Sequence, residues 1–340
     1  MIRKEKSAES GLDAGMSGGK RMGLTGWEKD CNGENLQVIC KDENCVVMQI
    51  KDKTGEGVMT MYLVFEGCNV IYNDFHMEQV LSSFSPSFHL FCIDHCREGR
   101  IEWKVDNNSY TYVSAGDMQV DCRENHSNEF YFPLKHYHGI SIGFDMNCTD
   151  HGVLHLMDDF SVDLNKLKEK FCPKDKFFII RAGAKIDRIF AELYDLPDKV
   201  RKTYVKIKIM ELLLFLENIE IPDKKEERNY YYKSQVDKVK AMVKLQTEDL
   251  STWYTLEELS KRFSFPLTSM KQCFKGIYGC SMADYMKTYR MNAAAEMLCN
   301  TDKAIIDIAC AFGYENPGKF SAAFKSKMGM TPSEYRKTID

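Results

Sequence analysis

The first half of the chain alternates apolar and polar residues with a period of two. Ile101, Trp103 and Val105 alternate with charged residues, and a polar turn at 106–108 follows them. Because successive side chains of a strand point to opposite faces, this pattern predicts a β-hairpin. Similar alternation recurs on both sides of the hairpin. We therefore predict a mainly-β barrel over residues 28–160.

The hydrophobic period changes to that of a helix in the middle of the chain. Apolar residues recur there at steps of three and four, namely Ile209, Leu212, Leu213, Leu216 and Ile219. A stripe of this width fits a partner helix of a second copy, or the barrel itself. We assign residues 161–221 to a helical segment for dimerisation and linkage. The charged run that follows predicts a linker over 222–233.

The last hundred residues carry the signals of short helices joined by tight turns. Thr255 with Glu258, and Thr331 with Glu334, have the spacing of capping boxes, which mark the starts of helices. Gly279, Gly313 and Gly329 follow apolar segments at the positions where helices end. These signals predict an all-α domain.

Two parts of this domain repeat one plan, over about 256–278 and 304–328. In each part a short helix, a break and a second helix with a Phe-Lys pair follow one another, as in a helix-turn-helix. The helix between them has about 18 residues, or roughly 27 Å. Successive major grooves on one face of DNA lie about 34 Å apart. A rigid helix of that length can aim both second helices into successive grooves.

The run from Ile305 to Arg336 resembles the signature of the AraC/XylS family of transcription regulators, and 256–298 matches its first helix-turn-helix unit and connecting helix. The resemblance implies an AraC-type DNA-binding domain over 234–338, with double-stranded promoter DNA as partner. RNA polymerase is a further partner if the protein is an activator. The resemblance also implies which positions touch DNA: Thr268, Lys271 and Gln272 in the first unit, Gly318, Lys319 and Ala322 in the second, with Lys275 and Lys325 on phosphates.

The N-terminal half resembles the cupin-like sensor domains joined to many AraC-type regulators. The similarity rests on the strands, on Gly116-Asp117 and on Phe132-Pro133 before the histidines. It implies a small-molecule effector inside the barrel. Candidate effector-binding residues are Trp103, Tyr110, Tyr112, His136 and His138; the aromatic residues among them fit a barrel core equally well.

His136-x-His138 would place two imidazoles on one face of a strand, which is a geometry of metal ligands. Cupin metal sites need a glutamate shortly afterwards, and 139–144 contains none. We therefore predict no metal and no other cofactor. A metal-dependent cupin enzyme fused to a DNA-binding domain is the alternative function. A constitutive DNA-binding protein, in which the barrel only dimerises, is the third reading.

Composition and charge narrow the class of protein. The chain has 340 residues, no apolar run long enough to span a membrane, and a Lys-, Arg-, Ser- and Gly-rich start that predicts a disordered tail over 1–27. Its net charge is −4, yet residues 234–340 contain 15 basic and 12 acidic residues. The 13 cysteines have no repeating spacing, which predicts reduced thiols in the cytoplasm. Cys92-x3-Cys96 lacks the second close pair that methyl-accepting repair proteins need. We predict a multidomain, cytoplasmic, homodimeric regulator without enzymatic activity.

Overall fold

The computed structural model describes residues 35–81, 89–123, 129–148, 160–173, 176–221 and 230–338. Within them a β-rich N-terminal half is followed by a group of central helices and then by a helical C-terminal region. The predicted fold class is thereby confirmed. The tail predicted over 1–27 and most of the linker predicted over 222–233 lie outside the described residues.

The strands pair antiparallel throughout the described ladders. The path through the sheet runs β1-β2-β3-β4-β10-β6-β7-β12, with β8, β9, β5 and β11 beside it. The strands are β1 Leu36–Lys41, β2 Cys45–Asp52, β3 Gly55–Phe65, β4 Cys68–His76, β5 Gln79–Leu81, β6 Leu90–Asp106, β7 Ser109–Ser114, β8 Met118–Cys122, β9 Glu129–Tyr131, β10 Tyr137–Asp145, β11 Phe178–Ile180 and β12 Tyr231–Tyr232. The predicted hairpin is β6–β7.

Strand β6 bends the sheet into a half-barrel. Its first part pairs with β10 and β8, and its second part pairs with β7 and β9. Gly99 lies where the partners change and has a φ of +85°. A Cβ there would lie 2.0 Å from the carbonyl oxygen of His136, so only glycine fits. Next to this position the β10–β6 register shifts, which marks a bulge, and bulges bend strands.

The central helices cover one face of this sheet. They are α1 Leu164–Phe171, α2 Ala184–Tyr194 and α3 Asp198–Asn218. Ile140, Ile142 and Phe144 of β10 are fully buried beneath them. The apolar stripe of α3 packs into the same core, where Ile209, Leu212, Leu213 and Leu216 are all 0% exposed. Of the two uses that the sequence allows for this stripe, the structure therefore shows the covering of the half-barrel.

The C-terminal region consists of short helices with locally encoded ends. They are α4 Lys233–Glu248, α5 Leu256–Arg262, α6 Leu267–Tyr278, α7 Met282–Asn300, α8 Ile305–Ala311, α9 Pro317–Met328 and α10 Pro332–Lys337. Both capping boxes form as predicted at the starts of α5 and α10. Gly279 and Gly329 end α6 and α9 with a φ of +79°. Helices α5 and α6 together span residues 256–278, and α8 and α9 span residues 305–328.

No helix in the described parts of the chain has both the length and the apolar character that crossing a membrane requires.

Candidate nucleic-acid interface

The first helix-turn-helix unit consists of α5, a four-residue turn at 263–266 and α6. The turn is fixed by Ser264, whose φ of +47° is rare for a side chain, and by the Ser260 hydroxyl, which donates to the Phe265 carbonyl at 2.7 Å. Helix α6 buries the face that carries Met270, Cys273, Phe274, Ile277 and Tyr278. Because this face follows the helical period, the intervening positions point outward. All four positions predicted to touch DNA, Thr268, Lys271, Gln272 and Lys275, are exposed.

The second unit consists of α8, the turn at 312–316 and α9. Phe320 and Phe324 anchor α9 in the core and are 0% exposed, as predicted for core residues. The Asn316 side chain accepts from the backbone N–H groups of Gly318 at 2.8 Å and Lys319 at 3.2 Å, which fixes the start of the helix. The positions predicted to touch DNA here, Gly318, Lys319, Ala322 and Lys325, are also all exposed.

Both second helices are positively charged in a chain whose net charge is −4. Helix α6 contains Lys271 and Lys275, and α9 contains Lys319, Lys325 and Lys327. Neither helix contains an acidic residue. Lysine ammonium groups on a helix surface of this kind are suited to neutralise DNA phosphates.

Helix α7 holds the two units at a fixed separation. It has 19 residues, or about 28 Å of helix. Met282 and Met286 near its start belong to the core of the first unit, whereas Met291 and Leu298 belong to the core of the second. One continuous helix therefore belongs to both hydrophobic cores.

A buried arginine ties this helix to both units. Arg290 of α7 is 1% exposed and donates to the carbonyl oxygens of Leu250 at 3.0 Å and Thr252 at 2.9 Å. Its guanidinium carbon lies 3.9 Å from the centroid of the Trp253 ring. The indole Nε1–H of Trp253 donates to the Phe312 carbonyl in the turn of the second unit at 3.3 Å. The segment before α5 is thereby joined to both α7 and the second turn.

The half-barrel contacts helix α6 of the first unit and the neighbouring helix α4. Arg100 of β6 donates to the Gly276 carbonyl of α6 at 2.8 Å. Lys240 of α4 donates to the buried carboxylate of Glu102 at 2.8 Å. Strand β12 pairs with β7 and places Tyr231 against α6, where a Cβ on Gly276 would lie 2.0 Å from the Tyr231 hydroxyl. Helix α6, the second helix of the first unit, is thus in direct contact with the N-terminal half.

The five residues predicted to bind an effector do not lie together. Trp103 packs in the half-barrel core against Phe130 and Phe177. Tyr110 and Tyr112 lie on the opposite face of the hairpin, because Trp103 pairs in register with Thr111 between them. They pack against the C-terminal helices, and the Tyr112 hydroxyl donates to Glu102 at 2.8 Å. Burial, followed by the Glu102 carboxylate, raises the pKa of Tyr112 far above its usual range.

The two predicted histidines also separate. His136 precedes β10, and one of its ring nitrogens lies 3.4 Å from the Glu98 carboxylate. His138 is within β10 and faces the Tyr194 ring at 5.3 Å. The alternation that would place both on one face of a strand needs both residues in the strand, and only His138 is in it. A ligand atom of His136 instead lies within 4.8 Å of ligand atoms of Asp74 and His76.

The inner face of the half-barrel, opposite the central helices, carries several buried polar side chains beside apolar ones, which sequence reasoning missed. The side chain of Asn69 is 1% exposed, and neither of its amide atoms has a hydrogen-bond partner in the described part of the chain. Across the sheet, Arg123 pairs with Asp94 at 2.6 Å, and Gln119 donates to Asp121 at 3.0 Å. Burial opposes the charge of Arg123, but Asp94 and other neighbours more than offset it and raise its pKa. The strand register places these residues on one face of the sheet. Gly143 lies opposite both Asn69 and Cys92, and Cys92 lies opposite Asp121.

The cysteines near this face are not activated thiols. Cys92 and Cys96 are buried in β6, and Cys122 is buried in β8. Burial raises the pKa of Cys96 to about 12 and that of Cys92 well above its usual value. A thiolate is the nucleophilic form, and the raised pKa values of Cys92 and Cys96 disfavour it near neutral pH.

Comparison with known proteins identifies the C-terminal region. A family model described as "Helix-turn-helix domain" matches residues 259–338. The bifunctional transcriptional activator/DNA repair enzyme AdaA of Bacillus subtilis is 38% identical over 82 residues, which are 24% of this chain and 39% of AdaA. The regulator ExsA of Pseudomonas aeruginosa is 32% identical over 91 residues, 27% of this chain and 32% of ExsA. The chain thus spans well under half the length of either curated relative.

Among solved structures, the C-terminal domain of the response regulator AraT of Geobacillus stearothermophilus is 28% identical. The match covers 31% of this chain and 85% of that domain, with a TM-score of 0.28. The relatives matched by sequence are regulators of the AraC family, and the region that matches them is the tandem unit whose geometry is described above. Residues 259–338 of this chain therefore form a helix-turn-helix domain of the AraC type.

Proposed function

We propose that this protein is a sequence-specific DNA-binding transcription regulator that acts on promoter DNA. The observation that carries the proposal is the pair of helix-turn-helix units, each with an exposed lysine-bearing second helix, whose cores share the single helix α7. In this arrangement α6 and α9 enter successive major grooves on one face of the duplex. RNA polymerase is a further partner if regulation is by activation. The cytoplasm is the proposed location.

The first unit carries most of the base readout in this proposal. Lys271 can donate to guanine O6 and N7, and Gln272 can pair with adenine N6 and N7. Ala322, at the corresponding place in α9, can only contact a thymine methyl. Gly318 and Lys319 lie in the first turn of α9, where the helix dipole and the Lys319 ammonium group attract phosphate. Lys275 and Lys325 contact phosphates and set the register of the protein on DNA.

Binding to DNA from upstream of the gene itself, measured against scrambled DNA over a salt series, tests this function. The double variant Lys271→Ala/Gln272→Ala should lose the preference for upstream DNA and keep weak, salt-dependent binding. Lys275→Ala and Lys325→Ala should each lower the slope of log affinity against log salt by about one. Lys51→Ala, an exposed lysine of β2, is the control and should leave both quantities unchanged. Absence of any binding at low salt would contradict the proposal.

A homodimer is the proposed assembly. The described outer surface of α3 carries Val200, Ile207 and Leu214, which are 47%, 54% and 44% exposed. Their spacing of seven residues places them on one side of the helix, as in the seam of a two-helix coiled coil. Ile207→Glu should turn the dimer into a monomer in sedimentation velocity, whereas Lys202→Glu, at an exposed position on another side of the helix, should not.

A small-molecule effector inside the half-barrel is the proposed signal. The unpartnered amide of Asn69 supports this location, because a buried amide without hydrogen bonds costs about 1–3 kcal/mol that a polar ligand would recover. The contacts of Arg100 and Glu102 with α6 and α4 support a route from the half-barrel to the DNA-binding domain. An effector can shift the placement of that domain only by binding two arrangements with different affinity.

Thermal unfolding across a panel of polar metabolites tests the effector proposal. A ligand at 100 times its dissociation constant should add about 2.7 kcal/mol of stability. Asn69→Leu should abolish the shift, and Asn107→Leu, in the exposed β6–β7 turn, should keep it. If no metabolite shifts the transition, the half-barrel serves dimerisation alone. The buried, unactivated cysteines and the separated His136 and His138 favour a regulator over an enzyme.

A further inference from the structure

Three metal-ligating side chains meet on the outside of the half-barrel, at the end of β4. Asp74 and His76 are two residues apart on that strand, and His136 lies in the segment before β10. One ligand atom from each of the three side chains lies within 4.8 Å of the other two. The strand order brings them together, since β10 pairs with β4 and sets Tyr137 opposite Phe75.

The spacing of the donor atoms is that of a metal centre. His76 Nε2 lies 3.2 Å from Asp74 Oδ1, and His136 Nε2 lies 3.4 Å from Glu98 Oε2. The rings of His76 and His136 are 4.9 Å apart between centroids. Ligand atoms around a tetrahedral zinc ion, at bond lengths of about 2.0–2.2 Å, are roughly 3.4 Å from one another. The separation of His76 and Asp74 is close to this value, and the ligand atom of His136 lies within 4.8 Å of both.

The ligand types indicate which ions fit. Two imidazoles with carboxylates suit zinc and the later first-row transition metals, whereas magnesium and calcium take oxygen ligands alone. His76 and Asp74 are 63% and 55% exposed, so an ion can enter without opening the fold. The other ring nitrogen of His136, Nδ1, is buried with no hydrogen-bond partner among the described residues. The nitrogen of His136 that an ion from solvent can reach is therefore Nε2.

We infer that Asp74, His76 and His136 form a binding site for a divalent transition-metal ion such as Zn²⁺, with the Glu98 carboxylate beside His136 at the edge of the site. The site lies on the outer surface, and His138, whose ring faces Tyr194, is not part of it. The inference does not depend on the proposed function, because it concerns residues that lie outside the helix-turn-helix units and needs no DNA to be tested.

Titration of the full-length protein with Zn²⁺ in competition with a chromophoric chelator tests the site. His76→Ala and His136→Ala should each weaken the tightest binding by at least about tenfold, or 1.4 kcal/mol. His89→Ala, an exposed histidine outside the cluster, is the matched control and should bind as the wild type does. Because His76 is exposed, His76→Ala should unfold at the wild-type temperature without metal and lose the stabilisation that Zn²⁺ gives the wild type.

The protein also has 13 cysteines, which can bind zinc on their own. Binding of Co²⁺ distinguishes a cysteine site from the Asp74–His76–His136 site, because thiolate ligands add an intense near-ultraviolet charge-transfer band that imidazole and carboxylate ligands lack. The expected result is a tetrahedral Co²⁺ spectrum without that band, abolished by His136→Ala. Equal affinity in the wild type, His76→Ala and His136→Ala, a thiolate spectrum, or no binding at all would each overturn the inference.

Discussion

The guanidinium carbon of Arg290 lies 3.9 Å from the centroid of the Trp253 indole ring, inside the DNA-binding domain. The same guanidinium group donates to two backbone carbonyls of the segment before α5, and the indole donates to the turn of the second unit. The two residues thus join three parts of the domain. Their contact explains how two separate hydrophobic cores keep one relative orientation.

Replacement of Arg290 by alanine should destabilise the domain and impair DNA binding. The change leaves two carbonyls without their donor and opens a cavity beside Trp253, which together cost roughly 3 kcal/mol. Arg290→Lys should recover only part of the lost stability, because one ammonium group cannot reproduce the planar pair of donors that the guanidinium group directs at the two carbonyls. Urea unfolding followed by circular dichroism measures the loss. Arg262→Ala, an exposed arginine of α5, should change the free energy of unfolding by less than about 0.5 kcal/mol.

Gly313 and Gly329 form a natural pair for testing the Trp253 contact. Both have a positive φ, +75° and +79°, so alanine costs about 1–2 kcal/mol of backbone strain at either position. A Cβ at Gly313 would lie 2.3 Å from Trp253 Nε1, whereas at Gly329 nothing lies within 4 Å. Gly313→Ala should therefore lower the free energy of unfolding by at least about 1 kcal/mol more than Gly329→Ala. Equal losses would show that Trp253 does not pack tightly against the second turn.

The helices of the DNA-binding domain could be predicted from sequence because their ends are encoded locally. Thr255 and Glu258 form both hydrogen bonds of a capping box within four residues, and Gly279 ends α6 through its own φ. These interactions need no knowledge of the rest of the chain. Local interactions therefore mark the starts of α5 and α10 and the ends of α6 and α9.

What covers a face could not be predicted in the same way. Trp103, Tyr110 and Tyr112 are predicted together as candidates inside the barrel, but Tyr110 and Tyr112 share the other face of the hairpin, which the C-terminal helices cover. The apolar stripe of α3 around Ile209 has the same ambiguity, because its spacing fits both a helix of a second copy and the half-barrel. Asp74-x-His76 carries the same spacing signal as His136-x-His138, yet only the β4–β10 pairing brings His76 to His136. Such contacts depend on strand order, which periodicity does not contain.

His95 should make the fold less stable in acid. Its ring is buried, stacks on Phe190 at 4.1 Å between centroids, and places Nδ1 3.0 Å from the Tyr194 hydroxyl. Burial lowers the pKa of His95 to about 4 from 6.5. Between these values the unfolded chain binds the proton and the folded chain does not, so stability falls as the pH falls. The shift corresponds to roughly 3 kcal/mol, present above pH 6.5 and lost by pH 4.

Urea unfolding of the wild type and of His95→Gln at pH 7 and pH 4 measures this effect. The wild type should lose roughly 3 kcal/mol more than the variant over that interval, because glutamine does not titrate. Carboxylates contribute equally to both proteins and cancel in the difference. The same loss in both proteins would show that His95 takes up its proton in the folded state.

Arg100 should hold the half-barrel against helix α6. Its guanidinium group donates to the Gly276 carbonyl at 2.8 Å, and Gly276 has no side chain, which lets the Tyr231 hydroxyl approach the same turn of α6. Arg100→Ala removes one charge-assisted hydrogen bond, worth about 1.5–3 kcal/mol. Amides in the last turn of α6 should then exchange with solvent about 10- to 100-fold faster. DNA affinity should stay within about threefold of the wild type, because the contact uses the backbone of Gly276 and neither Lys271 nor Gln272.

Hydrogen exchange with Arg97→Ala as control distinguishes this docking contact from a general loss of charge. The side chain of Arg97, on the same strand, is 45% exposed, so its replacement by alanine should leave the exchange rates of the α6 amides unchanged. Gly276→Ala provides the reciprocal variant, since the added methyl group displaces Tyr231 and should speed exchange in the same turn. If Arg100→Ala and Arg97→Ala gave the same exchange rates, α6 would be held by the apolar contacts of Tyr112 and Tyr231 alone. A signal from the half-barrel would then have to pass through those rings.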